Sequence, residues 1–201
     1  LRTPMNAILG MTELALHEEL PDVVRDYLLT AKDSADTMLS LINNILDYSR
    51  LDVGRDQLDV VSFDLRRLLE ETMRGLSLRA HERGLELAAS IDPDVPSRVY
   101  GDPARLRQLL SNLISNAMNH TPEGSGIIIQ AESIDDKLVI TVADNGKGFP
   151  EEEIDKVFNK FYRLQGSRPG GTGLGLSIAK GFVEAHGGTI SLKNLPLSGA
   201  L

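Results

Sequence analysis

Apolar residues recur at alternating steps of four and three along two stretches of the chain, and this spacing constrains the fold more than any other feature. Leu1, Met5, Ile8, Thr12 and Ala15 form one seam, with Thr12 a polar exception. Val24, Leu28, Ala31, Ala35, Met38, Ile42 and Ile45 form the other. Both are heptad seams, which predict helices. The intervening "HEELPD" (17–22) breaks the pattern with charges and a proline, so the two helices are expected to fold back as an antiparallel hairpin.

Leu9, Leu14, Leu16, Leu29, Leu39, Leu41 and Leu46 widen the apolar stripe beyond one seam. A homodimeric four-helix bundle would cover it; a monomeric hairpin lying on the rest of the chain is the alternative. A second helix over 23–51 would be about 43 Å long, against about 27 Å for the first. An even hairpin would need on the order of ten more helical residues ahead of Leu1, so the first arm is expected to be truncated.

The 201 residues suit one medium domain or two small ones. A net charge of -8 argues against nonspecific nucleic-acid binding, although a local basic cluster could still hold a small phosphate ligand. The absence of cysteine excludes disulfides and thiolate metal sites and fits a reducing compartment. No apolar run is long enough to span a bilayer and no signal peptide is visible, so the chain reads as soluble.

Periodicity fails in "LDVGRDQLDVVSF" (51–63), which reads as a linker with a short strand over 58–61. The expected domains are therefore 1–57 and 58–201. Beyond the linker, helices are predicted over 64–82, 103–119 and 174–185, with strands over 85–91, 127–132, 138–143 and 189–193. The pattern is that of an α/β sandwich, making the whole chain α+β. Hairpin links such as "SIDDK" favour antiparallel pairing. The last strand stops before a returning partner, so the C-terminal end is also expected to be cut.

Several short stretches could carry chemistry. Asn112 and Asn116, four apart in "SNLISNAMNHT", share one helix face, and their amide oxygens could hold magnesium together with phosphate oxygens and water. Alone, such a pair is more often an ordinary polar face. In "VADNGKGF", Asp144 ends an apolar strand ahead of Gly146 and Gly148. Its carboxylate could accept from an exocyclic amine while the glycines let a flat ring approach, though a tight turn uses the same residues. "GSRPGGTGLGLSIAKGF" sets Gly166, Gly170, Gly171, Gly173 and Gly175 before an amphipathic helix whose N-terminal amides could receive phosphate. It is neither a P-loop nor a dinucleotide fingerprint. Lys160, Arg163 and Arg168 add positive charge nearby. His120 could lie against a bound base. His17 and His81 read as solvated, and His186 as a helix C-terminal residue stabilised by the dipole.

In this order the pieces resemble a sensor histidine kinase of a two-component system. "LRTPMNAILG" resembles the phosphoacceptor box, "NLISNAMNHT" the N box, "DNGKGF" and "GTGLGLSIAK" the two glycine boxes, and "VFNKFYR" the F box. The resemblance implies a dimerisation and phosphotransfer bundle followed by an ATP-binding domain of the Bergerat type. Asn112 and Asn116 would then face magnesium and the phosphates of ATP, and Asp144 the adenine amino group, with Gly146 and Gly148 beside it. Lys160 and Arg163 would approach the phosphates. Gly171, Gly173 and Gly175 would form a lid, with Thr172 and Leu174 counted among its nucleotide-binding positions. Where this chain has Asn119 and His120, also nucleotide-binding positions, the family often has a lysine and an aromatic ring.

The same box implies that the phosphoacceptor histidine and its acidic neighbour fall immediately before Leu1, so the acceptor is absent from this chain. Thr3 falls where members orient water for dephosphorylation, though it also suits a helix start beside Pro4. The implied partners are a response regulator receiver domain and a second copy of the chain, with no nucleic acid and no membrane contact, in the cytoplasm. The alternatives are an ATP-binding scaffold that docks a regulator without phosphotransfer, and a Bergerat ATPase that uses hydrolysis to change shape.

Overall fold

The computed structural model describes residues 2–52, 58–135, 137–164 and 173–195. They fall into two compact units, the hairpin in the first and everything described from residue 58 onward in the second.

The first unit is α1 (Arg2–Leu16) and α2 (Asp22–Asp52), packed along each other. Arg25 closes the turn: its guanidinium donates to the carbonyls of Leu16 at 3.2 Å and Glu18 at 3.3 Å, placing a cation at the negative end of α1. Met5, Thr12 and Ala35 are buried in the seam. The polar exception is satisfied within its own helix, since Thr12 Oγ1 donates to the Ile8 carbonyl at 2.8 Å. Other seam residues stay open: Ile8, Val24 and Met38 are exposed, as are Met11, Leu14 and Tyr27.

In the second unit, β1 (Val61–Asp64) pairs antiparallel with β3 (Arg98–Gly101). Asp64 ends β1 and caps α3 (Leu65–Glu82), accepting the Arg67 N–H at 3.0 Å. Leu65, Leu68, Leu69, Thr72, Leu76 and Ala80 give α3 its buried face. Arg83 caps its end, and Gly84 turns the chain at φ +63, a conformation glycine adopts without strain.

A three-stranded sheet follows in the order β2 (Glu86–Ile91), β4 (Gly126–Ile134), β5 (Lys137–Asp144). α4 (Pro103–His120) starts from an N-cap, Asp102, whose Oδ1 accepts from Ala104 at 3.0 Å and Arg105 at 3.1 Å, with Pro103 where no N–H is needed. α4 packs against α3, β4, β5 and α5 (Gly175–Ala185). The core is built from Ile127 and Ile129 of β4, Leu110 and Ile114 of α4, and Ile178 and Phe182 of α5, all essentially inaccessible to solvent.

Three expectations are corrected. β2 and β4 run parallel, because β3 and α4 form the crossover between them; only β4–β5 and β1–β3 are antiparallel. The first strand lies at Val61–Asp64 rather than 58–61, pairing with a strand, β3, that the pattern did not predict. Residues 189–193 join no ladder; instead the Asn194 carboxamide takes both backbone groups of Phe149, accepting its N–H at 2.8 Å and donating to its carbonyl at 2.7 Å. A short 3-10 turn, Glu151–Lys156, was also not predicted.

Candidate nucleotide site

Three structural ends meet around α4. Asn112, Asn116 and Asn119 recur at i, i+4 and i+7, so they share one stripe of this helix. The N-terminus of α5 lies against that stripe: a methyl group at Gly175 would stand 3.6 Å from Asn116 Nδ2. The end of β5 lies against the C-terminal end of α4, where a methyl at Gly146 would come within 2.8 Å of the His120 carbonyl and 2.6 Å of Asp144 Oδ1. No side chain fits there, which is why the turn needs glycine.

Asp144 is buried at 8 % exposure, and its Oδ1 accepts the Gly146 N–H at 2.7 Å. That bond fixes the carboxylate plane, and the acceptor-only group retains capacity for a further donor. Gly148, at φ +68, completes the turn. Asn112 Nδ2 is buried with no hydrogen-bond partner, an orphaned donor on the stripe next to α5. A buried amide left open in this way fits a site that a polar ligand completes.

Among the described residues, no group of three or more His, Cys, Asp or Glu side chains is placed to hold a metal ion. The oxygen donors on the stripe are the amides of Asn112 and Asn116, hard neutral ligands of the kind magnesium takes alongside phosphate oxygens. They fit the ion as part of a nucleotide complex.

Asn119 and His120 are exposed on the last turn of α4. Asn119 Oδ1 accepts from Arg83 Nη1 at 2.7 Å, and the same nitrogen donates to the Met118 carbonyl at 3.1 Å. Arg83 was not marked from sequence, since nothing local signals a contact 36 residues away. Lys160 and Arg163 are exposed on either side of Phe161, which holds φ +61. Gly173, at φ +69, backs directly onto that residue, since a methyl there would stand 2.7 Å from the Phe161 carbonyl carbon. Leu174 is buried at the start of α5. Gly166, Arg168, Gly170, Gly171 and Thr172 lie outside the described residues. Tyr162 bonds to Glu153, and this acceptor pushes its phenol above the ordinary tyrosine range.

Thr3 is exposed on α1. His17 and His81 are exposed, as expected. His186 stands at the C-terminal end of α5, where the sequence places it, and its Nε2 accepts the Asp102 N–H at 3.1 Å.

An α/β layer that aligns an asparagine helix, a strand-end carboxylate and a glycine-flanked helix start defines a nucleotide-binding domain, here joined to a helical hairpin. Residues 101–200 match the family "Histidine kinase-, DNA gyrase B-, and HSP90-like ATPase", and residues 1–54 match "His Kinase A (phospho-acceptor) domain". The sensor protein GacS of Pseudomonas syringae pv. syringae is 42% identical over 208 residues, spanning 100% of this chain and 23% of that protein. Full-length ShkA, solved in complex with AMPPNP, superposes with a TM-score of 0.79 at 33% identity, over 99% of this chain and 42% of that one. The catalytic domain of histidine kinase ThkA gives a TM-score of 0.62 at 30% identity, over 71% of this chain and 92% of that domain. The chain belongs to the sensor histidine kinases of two-component systems, with a phosphoacceptor-type hairpin and an ATP-binding domain. It spans less than a quarter of the length of GacS.

Proposed function

We propose that this chain is the catalytic core of a histidine kinase that uses magnesium-ATP to phosphorylate an imidazole and pass the phosphoryl group to a response regulator aspartate. The observation that carries this reading is the placement of the α5 N-terminus against Asn116, which puts the start of a helix beside the asparagine stripe. Asp144 accepts from the adenine amino group, and Gly146 and Gly148 leave room for the ring. Asn112 and Asn116 offer amide oxygens to magnesium, which supplies charge neutralisation to the phosphates when bound. Lys160, Arg163 and residues 171–175 serve the phosphate end of the nucleotide.

In the transfer, an imidazole nitrogen forms a bond to the γ-phosphorus in line with the breaking bond to the β–γ bridging oxygen, and ADP leaves. The adjacent carboxylate takes the imidazole proton. Both groups belong to the two positions that the box resemblance sets before Leu1, and Thr3 orients a water that attacks the regulator's aspartyl phosphate, freeing the carboxylate and releasing inorganic phosphate. The exposed apolar face of α1 and α2 receives a second copy of the hairpin, giving a four-helix bundle. No described helix is long and apolar enough to cross a membrane, and a cytoplasmic setting suits ATP as the donor.

The test is γ-labelled ATP with magnesium, given to this chain and to one extended by His-Glu and the upstream helix. Acid-labile, alkali-stable label on the extended chain alone is the expected result. ATP bound without label on either chain would replace the reading with a regulator-docking scaffold, and steady hydrolysis without phosphoprotein would replace it with an ATPase.

A further inference from the structure

Asn119 has two chemically opposite ends, and the structure determines which is available. A guanidinium carries only donors, so the atom that receives Arg83 Nη1 at 2.7 Å must be the carbonyl oxygen of the amide. The free prong of the planar group is therefore the NH2. Asn119 stands on the stripe that carries Asn112 and Asn116. An NH2 there can donate to a phosphate oxygen but cannot ligate a cation, whereas the reverse orientation would do the opposite.

Arg83 is itself held from behind. Its backbone N–H closes the end of α3 on the carbonyls of Ala80 and His81, and Gly84 fixes the turn that follows. Its guanidinium also binds the Met118 carbonyl at 3.1 Å, in the last turn of α4. A helix C-terminus presents partial negative charge, which repels phosphates, and a cation on it offsets that repulsion. We propose that Arg83 is a positioning residue of the nucleotide site, which locks Asn119 with its NH2 toward the phosphates and so makes it a phosphate donor rather than a magnesium ligand. This rests on the nucleotide reading above.

The experiment measures binding of ATP and of adenosine, which lacks phosphates, by calorimetry on the chain and its variants, with thermal unfolding in parallel. Arg83→Met should weaken ATP about tenfold and leave adenosine unchanged, Arg83→Lys should retain most of the affinity, and Arg83→Met with Asn119→Ala should be no weaker than the worse single variant. Asn119→Asp separates positioning from support of the fold. A carboxylate pairs more strongly with Arg83, so thermal stability should hold or rise, yet it has no donor and adds negative charge, so ATP affinity should fall more than in Asn119→Ala. ATP binding unchanged by Arg83→Met, equal losses of ATP and adenosine, or losses that multiply in the double variant would each overturn the proposal. Failure of the parent chain to bind ATP would overturn the nucleotide reading itself.

Discussion

His186 Nε2 accepts the backbone N–H of Asp102 at 3.1 Å, while its Nδ1 lies 2.8 Å from the Phe182 carbonyl. The amide can only donate and the carbonyl can only accept, so this pairing is made by the tautomer that carries its proton on Nδ1. It thereby ties the end of α5 to the residue that caps α4. Nitrogen NMR should find that tautomer, with Nε2 as the acceptor. His186→Ala should cost about 1–3 kcal/mol by leaving the Asp102 amide without a partner; an unchanged melting temperature would count against the bridge.

Gly146→Ala should abolish ATP binding while the hairpin helices persist. A methyl would come within 2.6 Å of Asp144 Oδ1 and 2.8 Å of the His120 carbonyl, so either the carboxylate or the end of α4 must move. Asp144→Asn tests the same point without adding bulk, and adenosine binding reads both. Retained adenosine affinity in Gly146→Ala would mean that the base lies elsewhere.

Glu71 accepts from Arg67 and Arg107, each at 2.8 Å, and these hydrogen bonds, Arg67 first, hold its carboxyl below the ordinary glutamate range. A group whose folded value is depressed contributes stability above its unfolded value and loses it as pH falls through the folded one. The pair is open to solvent, so the contribution is small and screened by salt. In a carboxyl NMR titration Glu71 should protonate after most other glutamates, and Arg107→Gln should move its midpoint upward. A midpoint indifferent to Arg107 would refute the assignment.

Met11 and Tyr27 are 69% and 70% exposed on the hairpin, beside exposed Leu14, Val24 and Met38. Such a concentration of apolar side chains is what a second hairpin would cover. Met11→Lys combined with Met38→Lys should shift the chain from dimer to monomer in light scattering without loss of helicity. A parent chain that is already monomeric at high concentration would remove the bundle from the proposed function.

Asn194→Ala should speed amide exchange at Phe149, and Asn194→Asp should restore only part of the protection, because a carboxylate can accept the Phe149 N–H but cannot donate to its carbonyl. Equal protection in all three proteins would show that the pairing does not hold this segment.

What could be read from sequence was local. The Asp102-Pro103 start of α4, the Asp64 cap of α3 and the heptad seams carry their own signals in spacing and capping chemistry. β3 did not, since four residues with no apolar alternation look like loop until β1 is beside them. The parallel register of β2 on β4 and the reach of Arg83 to Asn119 depend on residues far apart in the chain. The strand-like residues 189–193 mislead for the complementary reason: β-propensity describes a surface suited to pairing and does not supply a partner.

The crossover from β2 to β4 carries α4 inside it, so the asparagine stripe is laid down within the same connection that must close before the parallel pair can register. Closing such a connection is slow compared with folding two helices across a short turn. During synthesis the hairpin of α1 and α2 would therefore fold while the ATP domain is still emerging. In the proposed bundle, assembly would then precede nucleotide loading, and a chain that misfolds in its second unit could still enter a mixed pair and silence a sound partner.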